Sequence, residues 1–152
     1  VRGGPEMCGV EAAVVVVHDA ARPCVSRGTI DAVIAGARAG VGAVAAVPAS
    51  DTLKEIGHGP LRPTPLIART VDRERIWRAQ TPQGFPRQML LEAYAQLTGS
   101  REPANGGAPS DDAEVCERAG FPVELIPDSP YNVKITTADD FRIAEALARE
   151  LR

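Results

Sequence analysis

Apolar side chains in this chain come in short blocks, and the period changes from block to block. Ala12 to Val17 is apolar at every position, as expected for a strand covered on both faces. Ser26 opens a segment in which Ile30, Val33, Ile34 and Ala37 share one helical face, and Gly40 can end it. A second uninterrupted run, Gly42 to Val47, reads as another buried strand. Two strands joined through a helix by short connections favour a right-handed βαβ unit, so the sheet is expected to be parallel here and the fold class α/β.

From Pro48 to Arg73 the periodicity stops, and Pro48, Pro60, Pro63 and Pro65 punctuate the segment around a Gly57-His58-Gly59-Pro60 turn. The flanking stretches "DTLKEI" and "PLIARTV" are short and strand-like, which predicts a long hairpin leaving the body of the domain. Its few apolar side chains cannot form a core of their own. A twin subunit is the simplest cover for it.

Helical spacing returns after "WRAQTPQGF". Pro86 suits a first helical position, and Leu90, Ala93, Tyr94 and Leu97 mark one face. "GSREPANGGAP" has the composition of a mobile surface loop. Beyond it, Ser110-Asp111-Asp112 opens a helix with Asp111 and Glu114 spaced as a capping box and Gly120 at its end. Val123 to Ile126 is a further short strand. Thr137 and Asp140 make a last capping box, and Phe141, Ala144, Leu147, Ala148 and Leu151 form the apolar stripe of the final helix. No internal repeat and no linker divides the chain, so residues 1–152 are expected to make one domain with an arm at 48–73.

Composition narrows the partners. The 152 residues suffice to bury roughly 70% of the unfolded surface, and 44% hydrophobic with 24% charged residues is ordinary globular composition. A net charge of -3 gives no general attraction to nucleic acid or anionic lipid, so phosphate chemistry must rest on locally placed basic groups. Cys8, Cys24 and Cys116 are widely spaced and form no CxxC pair, which favours buried reduced thiols over a disulfide framework or a zinc site. The apolar runs are too short to span a bilayer and no signal-type core follows the N-terminus, so a cytoplasmic protein without membrane contact is expected.

The first strand ends as "VVVVHDAARP". In open parallel sheets ligands bind beyond the carboxyl ends of the strands, which is where His18, Asp19 and Arg22 fall. A carboxylate there can hold a metal ion or a ribose hydroxyl, and a guanidinium can grip phosphate with its donor fork. Equally, Asp19 can cap a turn with Arg22 paired to it, and His18 reads as an orienting or packing residue rather than a base. Lys134 in "YNVKIT" holds another strand-end position, where an ammonium suits a phosphate gaining charge, or is a solvated surface lysine. Arg69, Arg73, Arg75 and Arg78 crowd the exit of the hairpin, and one could serve a phosphate while the rest solubilise it. Ser110 offers a hydroxyl at a helix N-terminus, which capping explains almost as well.

Taken in order, "VVVVHDAARP", "ASDTLK", "RTVDRERIWRAQTPQGF", "SDDAEVCERAG" and "YNVKIT" resemble the successive signatures of the 2-C-methyl-D-erythritol 4-phosphate cytidylyltransferases, from about Ala13 to the end of the chain. The resemblance implies a Rossmann-like nucleotidyltransferase sheet, mostly parallel, with a protruding β-arm. It implies an enzyme of the non-mevalonate isoprenoid pathway in which the phosphate of 2-C-methyl-D-erythritol 4-phosphate attacks the α-phosphorus of CTP and expels pyrophosphate, with Mg2+ as cofactor. By this similarity Lys134 and Arg73 place the attacking phosphate as the catalytic pair, and Arg22, Thr52, Thr81 and Ser110 hold the acceptor. Asp19 matches the aspartate near the ribose and the metal. Ser110 stands where threonine is usual. The family's arm reaches into the partner's site in a homodimer, so Thr52 and Arg73 would act across the interface.

One departure bears on activity. The family begins with a strand and a glycine-rich loop carrying an arginine and a lysine that wraps the CTP triphosphate, and neither "VRGGPEMCG" nor "GARAGVG" matches it. A counterpart of the cytosine-contacting segment before Val14 is likewise not found. The expectation is therefore a truncated domain with the acceptor half, the metal-side aspartate and the arm, of little or no activity in isolation. The alternative is a non-catalytic dimerising remnant that binds a sugar phosphate without CTP.

Overall fold

The computed structural model describes residues 12–57, 64–99 and 107–150. Ten elements follow one another: β1 (Val14–Val17), α1 (Arg27–Arg38), β2 (Gly42–Pro48), β3 (Lys54–Ile56), β4 (Ile67–Thr70), β5 (Trp77–Pro86), α2 (Arg87–Gly99), α3 (Asp112–Arg118), β6 (Val123–Pro127) and α4 (Ala138–Glu150). Four strands form the main sheet in the order β1-β5-β2-β6, while β3 and β4 pair antiparallel as a sheet of their own.

The sheet is α/β in class, and β1, β2 and β6 all run the same way. The local expectation of a parallel ladder between β1 and β2 needs correcting. β5 lies between them and pairs antiparallel with both, Val15 opposite Phe85 on one side and Ala43 opposite Gly84 on the other. Parallel pairing occurs between β2 and β6. The longest strand thus fills the centre of the sheet, although "WRAQTPQGFP" shows neither an apolar run nor strict alternation. What it does have is Gly84. A Cβ there would stand 2.7 Å from Val33 Cγ1 and 3.1 Å from the Val33 carbonyl oxygen, so its absence lets α1 lie directly on the strand.

Helices cover both faces. On one side Val15, Val44 and Phe85 meet Met89, Leu90 and Ala93 of α2 and Ala113, Val115 and Cys116 of α3. On the other, Ala43 and Ala45 meet Val33 of α1. The alternation of Val44 with its alanine neighbours divides β2 between the two layers, the period-two rule acting inside a run that is wholly apolar. Ile30 and Ile34 are only half-buried, so the working face of α1 is narrower than its apolar stripe.

Helix ends follow their local chemistry. Ser26 Oγ accepts from the Thr29 N–H to cap α1, and Asp111 accepts from the Glu114 N–H to cap α3. The expected return bond of that second box goes one residue further back: the Glu114 carboxylate accepts from the N–H and the hydroxyl of Ser110. Gly120, at φ 79°, closes α3 with its N–H on Glu117 and the Phe121 N–H on Cys116, the paired bonds of a left-handed helix stop. At α4 the box is reciprocal, Asp140 N–H to Thr137 Oγ1 and Thr137 N–H to Asp140. The stripe behind it is less buried than the spacing predicts: Ala144 is buried and Leu147 half-buried, but Phe141 is 60% exposed. Pro86 ends β5, and α2 starts one residue later than expected.

Every residue of β3 and β4 is exposed, and the two strands are held by Lys54 Nζ to Thr70 Oγ1 at 2.7 Å and by the Arg69–Glu55 pair at 2.6 Å. The proposed turn at 57–60 falls largely outside the described residues, as do most of the "GSREPANGGAP" loop, "VRGGPEMCG" with Cys8, and Leu151. No helix among the described residues is long and apolar enough to cross a membrane.

Candidate active site

Four elements of chain meet at the carboxyl-end rim of the sheet: the turn after β1, the middle of β5, the segment after β6, and the start of α1. Apolar β1 ends where its backbone leaves the sheet, and the turn that follows closes on itself through the Arg22 N–H to the Asp19 carbonyl at 2.9 Å. The segment 128–135 crosses over this turn and is tied down by the Ile135 N–H on the Ala21 carbonyl at 2.8 Å. These two backbone bonds bring Lys134 beside Asp19.

The charged core of the rim is a triad. Asp19 Oδ2 lies 3.0 Å from Lys134 Nζ and 3.5 Å from Arg22 Nε. Burial pushes the Asp19 carboxyl up, but Lys134, by hydrogen bond and charge, and then Arg22 outweigh it and hold the carboxyl below its ordinary value. The ion pairs therefore favour the charged form of Asp19. Two cations around one anion leave a surplus positive charge at the rim, which suits an arriving phosphate.

Arg22 is directed by what lies beneath it. Its Nη1 donates to the Asn132 carbonyl at 2.7 Å, and the same oxygen accepts from Gln80 Nε2 at 3.1 Å. The Asn132 side chain, 1% exposed, donates to the Thr81 carbonyl at 2.8 Å and to Asp128 at 2.7 Å. Asp128 in turn accepts from Thr29 Oγ1 at 2.6 Å, and Thr29 contacts the cap residue Ser26. A continuous buried network thus runs from the N-terminus of α1 to the guanidinium. The network is only partly matched, since Gln80 Oε1 and Asn132 Oδ1 are buried without a hydrogen-bond partner among the described residues.

Thr81 joins the same cluster. Its Oγ1 accepts from the Asp19 N–H at 2.9 Å and lies 3.1 Å from His18 Nδ1, and the other ring nitrogen of His18 is 3.1 Å from the Arg22 carbonyl. The peptide between Thr81 and Pro82 is cis. His18 has both nitrogens committed to neighbouring groups, in keeping with the orienting part read from the sequence.

Of the expected site residues, Asp19, Arg22, Thr81 and Lys134 are therefore together. Ser110 is bonded instead to Glu114 through both its N–H and its hydroxyl, and these bonds and the Arg118 pair lower the Glu114 carboxyl to about 2. That helix is tied to the central strand, because Gln83 donates to Asp111 at 2.9 Å and accepts from the Ala113 N–H. Thr52 and Arg73 sit on the arm, both exposed, with Arg73 Nη1 on the Ser50 carbonyl. None of their bonds reaches the Asp19 cluster. Arg69 is absorbed by Glu55.

The sequence did not single out Asn132, Gln80, Gln83 or Asp128. Asn132 and the two glutamines lie inside the quoted motifs, but polar residues in a motif carry no mark of burial. The signal that could have found them is a strand-forming segment with amides at Gln80 and Gln83, since an interior strand tolerates such groups only when each finds a partner.

Asp19 is the one acidic group of the triad, and among the described residues no group of three or more His, Cys, Asp or Glu could hold a metal ion. One carboxylate fits a magnesium ion whose remaining ligands come from phosphate oxygens and water, the usual arrangement for that ion.

Comparison with known proteins identifies the family. The family model described as "IspD: 2-C-methyl-D-erythritol 4-phosphate cytidylyltransferase" matches residues 3–150. A 2-C-methyl-D-erythritol 4-phosphate cytidylyltransferase of Syntrophus aciditrophicus is 42% identical over 99% of this chain and 60% of its own length. A bifunctional IspD/IspF enzyme of Anaeromyxobacter dehalogenans is 43% identical over 97% of this chain and 36% of the relative. The chain thus spans about three fifths or less of the length of these relatives. Among solved structures, the Thermus thermophilus cytidylyltransferase superposes with a TM-score of 0.79 at 37% identity, covering 95% of this chain and 65% of that one. With the family model matching almost the whole chain and these relatives 42% and 43% identical, this chain belongs to the 2-C-methyl-D-erythritol 4-phosphate cytidylyltransferase family.

Proposed function

We propose that this chain serves cytidylyl transfer from CTP to 2-C-methyl-D-erythritol 4-phosphate, with 4-diphosphocytidyl-2-C-methyl-D-erythritol and pyrophosphate as products, in the cytoplasm and without nucleic-acid or membrane partners. The observation that carries this reading is the Lys134–Asp19–Arg22 triad at the rim of a sheet whose family transfers cytidylyl groups. An oxygen of the acceptor phosphate bonds to the α-phosphorus of CTP while the bond from that phosphorus to the β-phosphate oxygen breaks. Such a reaction demands placement and charge neutralisation more than covalent catalysis.

Lys134 and Arg22 supply the positive charge that holds the acceptor phosphate, and Asp19 keeps both cations extended toward the rim. Thr81 contacts the acceptor beside them. Ser110 contributes once its hydroxyl leaves Glu114. Mg2+, held in part by Asp19, would neutralise phosphate charge on the nucleotide side. Thr52 and Arg73 act from the arm of a twin subunit, because an arm whose strands are exposed along their whole length needs a second surface to become part of any site.

Mixing tests the shared site directly. In the dimer, Arg73→Met and Lys134→Met proteins are each expected to bind the acceptor more weakly than wild type. Mixed and allowed to exchange subunits, they regain roughly a quarter of the wild-type sites if each site takes Arg73 from one subunit and Lys134 from the other. No recovery in mixed dimers ends the shared-site reading.

A further inference from the structure

The bonds around His18 have a fixed direction. His18 Nε2 faces the Arg22 carbonyl oxygen at 3.1 Å, and a carbonyl oxygen only accepts, so Nε2 carries the proton. In the neutral ring Nδ1 is then the acceptor, and its partner at 3.1 Å is the Thr81 hydroxyl. That hydroxyl must donate to it. On its other side, Thr81 Oγ1 already accepts from the Asp19 N–H at 2.9 Å. A hydroxyl has one proton and two lone pairs, and here the proton and one lone pair are committed.

We propose that His18 is a positioning residue that presents Thr81 to the ligand as a hydrogen-bond acceptor, so that Thr81 selects a hydroxyl group of the acceptor substrate and leaves the phosphate to Lys134 and Arg22. The dianion of a phosphate monoester offers only acceptor oxygens and gains nothing from a free lone pair. A polyol hydroxyl can donate to it. The division of labour separates the two ends of a phosphorylated polyol: the rim cations grip its charge, and the His18-directed threonine reads its alcohol. The proposal rests on the acceptor reading given above for its ligand, but the orientation of His18 does not.

Two measurements on the whole chain keep these apart. The chain holds two histidines, His18 and His58, so the ring-nitrogen resonances can be assigned by comparison with His58→Gln. With the ring neutral, the His18 spectrum is expected to show a protonated Nε2 and an unprotonated Nδ1, and the opposite tautomer overturns the proposal. Binding is then compared for 2-C-methyl-D-erythritol 4-phosphate and inorganic phosphate. Thr81→Val is expected to weaken the sugar phosphate by roughly 5–10-fold, the loss of one neutral hydrogen bond, and to leave inorganic phosphate within about twofold of wild type. Thr81→Ser restores the difference. His18→Phe frees the Thr81 proton and lowers the preference for sugar phosphate over inorganic phosphate. Equal weakening of both ligands by either His18→Phe or Thr81→Val means a merely structural part and overturns the proposal. If the wild-type chain binds neither ligand, the acceptor reading fails with the selection built on it, and the nitrogen spectrum alone decides whether His18 sets the direction of Thr81.

Discussion

The rim and the arm use the same kinds of side chain and treat them in opposite ways. At the rim, Arg22 is anchored on a buried carbonyl, Lys134 on Asp19, and Thr81 on a main-chain N–H and a ring nitrogen. On the arm, Arg73, Thr52 and Lys54 are exposed, and the few bonds they make are to neighbours on the same hairpin. Preorganised charge loses little freedom when a ligand arrives, whereas an exposed arginine must be ordered first. The rim can therefore hold an anion by itself. The arm gains a defined geometry only when it meets another surface.

The largest test of this contrast is stability. Phe85, fully buried in the central strand, is expected to cost about 3–5 kcal/mol on Phe85→Ala, read by urea denaturation. At concentrations where the chain is monomeric, Ile67→Ala on the exposed β4 should stay within about 0.5 kcal/mol of wild type. A comparable loss at both positions would mean that the arm is folded into the body after all.

Ligand binding sharpens the comparison at the next level. Lys134→Met removes a charge-assisted contact and should weaken 2-C-methyl-D-erythritol 4-phosphate by about 10–100-fold in calorimetry. Under the same monomeric conditions Arg73→Met should leave the affinity unchanged. An effect of Arg73→Met that persists at high dilution would place the arm's arginine in its own subunit's site.

The network beneath the rim should respond with a size between these extremes. Asn132→Ala leaves the Thr81 carbonyl and Asp128 short of a donor and should destabilise by about 1–3 kcal/mol. It should also loosen the crossing segment that carries Lys134, visible as faster amide exchange at Ile135.

Acid gives the smallest and most local effect. Asp140, lowered to about 2 by its bonds from Thr136 and Thr137, stabilises the start of α4 in its charged form. A lowered carboxyl contributes stability that is complete above its ordinary value of 3.8 and is lost as pH falls toward 2. Amide protection of Thr136 and Thr137 should accordingly persist through pH 4, by proton exchange, and vanish near the bottom of that range. Asp19, also lowered, should follow the same direction at the rim. On the arm, Glu55→Gln breaks only an exposed pair and should change stability by less than about 0.5 kcal/mol.

Some of this was readable residue by residue. The helix caps at Ser26, Asp111 and Thr137 depend on bonds spanning three or four positions, so the chain states them in its own order. β1 and β2 announce themselves because burial on both faces demands apolar side chains throughout. β5 does not, since its central place is allowed by Gly84 and by amides that find partners in other segments. The site shows the same split. Asp19, Arg22 and Lys134 were recognisable as rim chemistry from strand ends and motif order, whereas Asn132 looked like any loop asparagine. It is separated by 110 residues from the guanidinium its carbonyl receives.

The sequence by itself determined the helices, their ends, every described strand but β5 and the family, because each is written in local spacing or in contiguous motifs. Tertiary structure alone decided that an antiparallel strand parts β1 from β2, that an asparagine steers the guanidinium, and that a histidine directs a threonine hydroxyl. The reason is physical: burial and hydrogen-bond partnership are properties of pairs, and where the two members lie far apart along the chain, neither residue carries a record of the other.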